Sequence, residues 1–205
     1  MPTNDVKSRN RILIIVAWII AAAVLVTALV YFNFIEKDAD KSHVLAVGDK
    51  VPDFAVSTYN GDGGDYVFSQ TPENVEVTVI NFWATWCGPC VMELPDFVKL
   101  QKKYSDKIKT VAIHGDYIDE DVSAFINKQG WDGVLFAQDE TKQFTVKNNY
   151  GITESFEDTL YNLFGGTGPL PMTVIIDSDG VITFRRIGSI DYKSLEDAVL
   201  NALNN

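Results

Sequence analysis

The chain has 205 residues, 46% of them hydrophobic, which is enough for one domain with a real core and argues against two. Its formal net charge of −11 is unevenly spread: residues 1–41 carry five basic and four acidic groups, residues 42–205 twelve basic and twenty-four acidic. A main body at −12 repels phosphate backbones and so disfavours nucleic-acid binding. Two cysteines three positions apart cannot form the disulfide framework of a small secreted domain.

Residues 1–11 hold Lys7, Arg9 and Arg11 against Asp5 alone, and residues 12–32 contain no charge. As a helix, those twenty-one residues reach about 31 Å, the thickness of a hydrocarbon core. A cleaved signal peptide is the competing reading. Its apolar region is shorter and ends in a small-x-small site, which this run lacks. No Cys follows for lipoprotein processing. The run is therefore expected to stay as a single-pass anchor. The basic start puts residues 1–11 in the cytoplasm and everything from about residue 33 outside. Residues 33–46, polar and mixed in charge, are expected to be a tether to a domain over 47–205.

Within that domain, an extended piece over 54–57, a Gly-rich turn over 60–64 and a strand near 66–69 make a small hairpin. Residues 75–83 mix alternation with a solid apolar end, as a strand entering the middle of a sheet does. From Cys90 to Tyr104 the residues Leu94, Phe97 and Val98 form a helical stripe, with Pro95 expected to kink the helix. A strand over 110–114, a helix over 121–129 ending at Gly130, and a strand over 134–137 complete a β-α-β-α-β run. Strands over 172–177 and 181–187 join through Ser178-Asp179-Gly180. In the last helix Leu195, Ala198, Val199, Ala202 and Leu203 share one face. The class is α/β, a mixed sheet covered by helices.

The chemistry centres on Cys87-Gly88-Pro89-Cys90. Between a buried strand and a helix, the first sulfur sits where free N–H groups and the helix dipole favour an anion. Cys87 is thus the expected attacking thiolate. Cys90, more buried, is expected to resolve the mixed disulfide, so that the pair cycles through a Cys87–Cys90 disulfide. Pro89 fits the first helical turn, and Gly88 keeps the sulfurs approachable. Half a zinc site is one rival, but no second cysteine pair exists, and His43 and His114 fall in the tether and at a strand end. Haem attachment needs His where Val91 stands. A purely structural bridge closing so short a loop adds little stability. A peroxidase lacks its usual Pro-x-x-x-Thr-x-x-Cys setting, since Thr85 stands two residues before Cys87. No metal and no cofactor is called for. Asp119-Glu120-Asp121 suits a helix start, and Asp177-Ser178-Asp179-Gly180 a turn. Neither has calcium-loop spacing.

Asn81-Phe82-Trp83-Ala84-Thr85-Trp86-Cys87-Gly88-Pro89-Cys90 resembles the active-site strand and helix start of thioredoxins, and within them the membrane-tethered TlpA/ResA-like thiol–disulfide reductases. The resemblance covers roughly 47–205 and implies a thioredoxin-like fold. Val47-Gly48-Asp49 with Pro52-Asp53-Phe54 looks like that family's added N-terminal hairpin, and Pro95 matches its kink proline. Leu170-Pro171-Met172-Thr173 looks like its cis-proline segment, which implies a cis Leu170–Pro171 bond and a backbone lying against the dithiol to pair with an extended substrate. Trp86, Gly88, Pro89, Leu170 and Pro171 are the implied supports of the site. Thioredoxin usually has a buried Asp where this chain has Asn81. Glu93 matches the glutamate of the ResA-like branch, a carboxylate placed to take the Cys90 proton.

A second departure is an insertion over about 141–168. Ser155-Phe156-Glu157-Asp158 is expected to open a helix with Phe156, Leu160, Leu163 and Phe164 on one face, ended by Gly165-Gly166. Entering the cis-proline from its N-terminal side, it is expected either to shape the substrate groove or to add packing at the domain edge. The implied activity is reduction of disulfides in envelope or secreted proteins by a monomer that draws electrons from a membrane thiol donor, with cytochrome c maturation a typical role. An oxidase or isomerase on the same dithiol, and a tethered binding module, are the rivals.

Overall fold

The computed structural model describes residues 4–39, 44–60, 64–115, 121–147 and 153–204. They belong to two units, Met1–His43 and Val44–Asn205. The first is one helix, α1 (Asn4–Ala39), containing a candidate membrane span at Leu13–Val30 with mean hydropathy 3.0. No Gly or Pro interrupts Asn4–Ala39, so the helix runs beyond the uncharged stretch on both sides. The segment expected as a tether is accordingly divided. Its first part is helix, and at its far end Leu45 is buried in the second unit and donates its N–H to the Leu163 carbonyl at 2.8 Å.

The second unit has a thioredoxin-like fold. A small antiparallel hairpin, β1 (Ala55–Ser57) and β2 (Asp65–Val67), comes first. The centre of its predicted turn, residues 61–63, lies outside the described residues. Then follow β3 (Val77–Trp83), α2 (Gly88–Lys103), β4 (Ile108–His114), α3 (Val122–Gln129) and β5 (Leu135–Gln138). The chain closes with β6 (Lys142–Lys147), β7 (Thr153–Asp158), α4 (Leu160–Leu163), β8 (Met172–Ile176), β9 (Ile182–Ile187) and α5 (Tyr192–Leu203). The main sheet has the order β5-β4-β3-β8-β9, with β3, β4 and β5 parallel and β8 and β9 antiparallel.

All seven residues of β3 are buried, because it is central and covered on both faces. Alternation sends Val77, Val79 and Trp83 into a core shared with Leu94 and Phe97 of α2, Ile126 of α3 and Val199 of α5. Ile80 and Phe82 go into the opposite core, with Phe54 and Val56 of the hairpin segment and Leu160, Leu163 and Phe164 around α4. Pro95 lies inside α2, as expected. Asp121 caps α3 by accepting from the Ala124 N–H at 2.9 Å, and Gly130 ends it in the left-handed region at φ 66°. Asp119 and Glu120 lie outside the described residues. Asp177 Oδ1 accepts from the N–H groups of Asp179 and Val181, and Gly180 takes φ 77°, which makes 177–181 the turn its sequence implies.

The insertion corrects the helix expected from Ser155. Residues 153–158 form β7, paired antiparallel with β6 in register Phe144↔Phe156. Helical spacing of Phe156 with Leu160 and Leu163 is also compatible with a strand followed by one turn of helix. Cross-strand contact of the Phe144 and Phe156 rings, tilted at 38° with centroids 5.8 Å apart, favours the strand. The helix starts at Thr159 instead, whose hydroxyl accepts from the Asn162 N–H at 3.3 Å.

Candidate active site

The end of β3 sets the site. Trp83, fully buried, is held edge-on by His114 (ring centroids 5.2 Å), Phe136 (5.5 Å) and Trp131 (5.8 Å). A strand end fixed this firmly gives the next few residues a defined exit direction. The Thr85 N–H donates to His114 Nε2 at 3.3 Å, and the Cys87 N–H to the Ala84 carbonyl at 3.1 Å. Cys87 is then the N-cap of α2: its Sγ accepts from the Cys90 N–H at 3.3 Å, the capping role a side-chain oxygen usually plays. Pro89 stands in the first turn, where no N–H is needed.

Cys87 and Cys90 are joined in a disulfide with Cα atoms 5.3 Å apart. Cys90 is wholly buried, and the remaining 4% exposure belongs to Cys87. Around it Trp86, Gly88 and Pro89 are exposed. A first cysteine with slight exposure and a second with none is an asymmetry on which stepwise exchange can act.

Leu170–Pro171 is a cis peptide bond. The antiparallel register Phe82↔Met172 carries Pro171 to the level of Trp83, the end of the sheet from which the dithiol loop departs. Pro171 is buried and its carbonyl accepts from the Gly188 N–H at 2.8 Å, while Leu170 is half-buried.

Glu93, one turn after Cys90, is buried. Its Oε1 accepts from Asn81 Nδ2 at 2.9 Å and its Oε2 from the Ile190 N–H at 3.0 Å. Burial pushes this carboxyl above its ordinary range. The two donated hydrogen bonds and Arg186 pull the other way, and Asp96 adds to the rise. Asn81 occupies the middle of β3, opposite Thr173 of β8. The position where thioredoxins carry an acid thus serves here as the donor that holds another acid.

Two further residues at this end of the sheet escape sequence reading. His114 ends β4 directly beside Trp83 in the parallel register, a neighbour visible only once β3 and β4 are aligned. Asp139 follows β5, is 2% exposed, and accepts from the Leu160 N–H through Oδ1 and the Tyr161 N–H through Oδ2, both at 2.9 Å. Burial, with Asp158 and Glu140 nearby, pushes Asp139 up to about 6 despite those bonds. A recess of about 360 Å³ lined by Lys50, Asp53, Phe68 and Asp177 borders Val77 at the start of β3, the end opposite the dithiol.

Comparison with known proteins fits this arrangement. A family model described as Redoxin matches residues 46–202. Thiol-disulfide oxidoreductase ResA of Bacillus anthracis is 29% identical over 198 residues, 92% of this chain and 94% of that protein. Thioredoxin-like protein YneN of Bacillus subtilis is 29% identical over 168 residues, 80% of this chain and 85% of its own. A crystal structure from Chlorobium tepidum, assigned as a thiol:disulfide interchange protein DsbE, superposes with a TM-score of 0.58 at 27% identity. It covers 78% of this chain and 99% of that one.

Proposed function

The chain belongs to the redoxin family, and from that premise we propose that it is an extracytoplasmic thiol–disulfide oxidoreductase that reduces disulfides of envelope or secreted proteins. The observation that carries the reading is the Cys87–Cys90 pair at the strand–helix junction, with the solvent face on Cys87 alone and a cis Pro171 at the same end of the sheet. In the reduced state the Cys87 thiolate attacks one sulfur of a substrate disulfide. The substrate bond breaks, its second sulfur leaves as a thiolate and takes a proton, and a mixed disulfide forms on Cys87. Cys90 then gives its proton to Glu93 and attacks the Cys87 sulfur. The substrate's remaining sulfur leaves as a thiolate and takes the proton that Glu93 received, so the substrate departs with two thiols and the Cys87–Cys90 bond retains the oxidation. A membrane dithiol donor returns two electrons and resets the pair.

Glu93 suits the proton step because it lies three residues beyond Cys90, on the same face of α2, and burial raises the affinity of its carboxylate for a proton. Trp86, Gly88, Pro89, Leu170 and Pro171 form the surface on which an extended substrate segment lies. Membrane attachment as a single pass rests on α1, and the outward orientation of the domain on Lys7, Arg9 and Arg11 before the apolar stretch. The monomer draws on no cofactor in this scheme. The resemblance of the active-site segment to the ResA-like reductases supports reduction as the direction, and cytochrome c maturation is a typical role for such relatives.

Replacing Cys90 with Ala stalls the cycle at the mixed disulfide. Expressed in cells, the Cys90→Ala chain is expected to accumulate on Cys87 a set of envelope or secreted proteins, identified by mass spectrometry. A set made of cytoplasmic proteins would overturn the location, and empty traps under both reducing and oxidising growth would overturn exchange chemistry. A reduction potential near −120 mV, in place of a value below about −220 mV, would turn the direction to oxidation.

A further inference from the structure

The segment that enters Pro171 is fastened to a buried carboxylate that the exchange steps above do not use. Both oxygens of Asp139 are spent on the first N–H groups of α4, one on Leu160 and one on Tyr161. A carboxylate only 2% exposed needs its lone pairs satisfied, so the place of α4 is fixed by Asp139. From α4 the tie continues through Tyr161. Its hydroxyl donates to the Gly168 carbonyl at 2.6 Å, and its own carbonyl accepts from the Gly166 N–H at 2.8 Å. The Tyr161 ring lies across Phe82 of β3, centroids 5.5 Å apart, and so close to Gly166 that a Cβ there would come within 2.4 Å of a ring carbon.

The other direction leads to the cysteines. The Asp139 N–H donates to the His114 carbonyl at 2.9 Å, and the His114 ring holds the Thr85 N–H, two residues before Cys87. A run of contacts therefore links the segment before Cys87 with the 166–171 segment, called here the cis-proline lip: Thr85, His114, Asp139, Tyr161 and Gly168, from which the chain runs on to Pro171.

We infer that Asp139 and Tyr161 are positioning residues for polypeptide substrates: they set the distance of the 166–171 lip from Cys87, and through it the preference for polypeptide over small disulfides. Neither touches the reacting sulfurs. An extended chain needs the lip's backbone in place to pair with it, whereas a small disulfide needs only the exposed side of Cys87. The inference rests on the thiol–disulfide reading and adds to it the class of substrate the insertion selects.

The test uses the full-length chain in detergent, with insulin reduced under turnover at the expense of dithiothreitol, and the pre-reduced chain, freed of reductant, reacted in a single turnover with the small aromatic disulfide 5,5′-dithiobis(2-nitrobenzoic acid). Tyr161→Phe removes the bond to Gly168 and keeps the ring against Phe82, so it is the deciding variant even if Asp139→Asn folds poorly. Gly166→Ala pushes the lip off the ring. Both are expected to raise KM for insulin about threefold to tenfold, the equivalent of one hydrogen bond, with kcat and the rate on the small disulfide held within about twofold. An unchanged insulin KM, or an equal change with both substrates, overturns the inference. A wild-type chain that reduces neither substrate would instead sink the exchange reading itself.

Discussion

Two buried carboxylates stand at the dithiol end of the domain, and they are built differently. Glu93, on the helix that begins at the dithiol, is held by a side-chain amide from Asn81 and one backbone N–H from Ile190. Asp139, after β5, is held by two consecutive backbone N–H groups of the segment that leads to Pro171. In both, burial outweighs the hydrogen bonds and raises the pKa. An elevated pKa therefore does not mark the proton carrier in this molecule. Position relative to Cys90 separates them: Glu93, the proton acceptor proposed above, is one helical turn away, whereas Asp139 is linked towards Cys87 through the His114 carbonyl, the His114 ring and the Thr85 N–H. The amide holding Glu93 can also turn over when the acid is protonated, a freedom that two backbone donors deny Asp139.

The widest separation between the two is expected in rate. Glu93→Gln keeps the size and an acceptor for Asn81 or Ile190 but cannot take a proton. Release of the substrate from the mixed disulfide is expected to slow by about a hundredfold, the usual worth of a positioned general base, in single-turnover quench experiments. The pH dependence of Cys alkylation in the reduced chain is expected to flatten with it, because a carboxylate beside the thiols couples their titrations. Asp139→Asn is expected to leave that pH dependence as it is. Equal flattening in the two variants would erase the distinction drawn between them.

The next effect is in stability, where Asp139 is expected to lead. Its folded pKa, about 6, lies above the ordinary 3.8, so the folded chain binds the proton more tightly than the unfolded one. Its contribution is therefore most favourable at pH below about 4 and is lost as pH rises through 6. Between pH 4 and pH 7 the wild type is expected to lose about 2 kcal/mol relative to Asp139→Asn, measured by urea unfolding of both chains at each pH. A constant difference between them across that range would mean that Asp139 titrates as an ordinary carboxyl.

These two sites were unequally legible before the fold was known. Cys87, Cys90, Pro89 and the run from β3 to β5 follow from local rules: an apolar run, a cap, a turn residue. Glu93 emerged from a family resemblance, and its ligands did not, since Ile190 is far from it in sequence and Asn81 donates only because β3 and α2 pack face to face. Asp139 gave no signal. An Asp after a strand, followed here by Glu140, reads as an ordinary loop residue, and its two donors sit in α4, which the helical spacing of Phe156 and Leu160 placed one strand too early. Periodicity over five residues does not separate a helix from a strand followed by one helical turn. The pairing of Phe144 with Phe156 decides it, and that pairing is tertiary information.

The smallest of these effects tests whether Asn81 is the reason Glu93 stands ready. Asn81→Asp restores the acid that thioredoxins carry in the strand and places it about where the amide now donates, 2.9 Å from Glu93 Oε1. Two carboxyls at that distance share one proton, so the pair gains affinity for it and both titrations become properties of the pair. The pH midpoint for resolution of the mixed disulfide is expected to rise by about one unit, equivalent to about tenfold in proton affinity. The reaction of a small disulfide with Cys87 at pH 8 is expected to change less, because Cys87 keeps its solvent face and its cap on α2. A midpoint that stays put would show that the Asn81–Glu93 bond holds the acid in place without setting when it gives up its proton. The contrast with Asp139 would then rest on distance from the sulfurs alone.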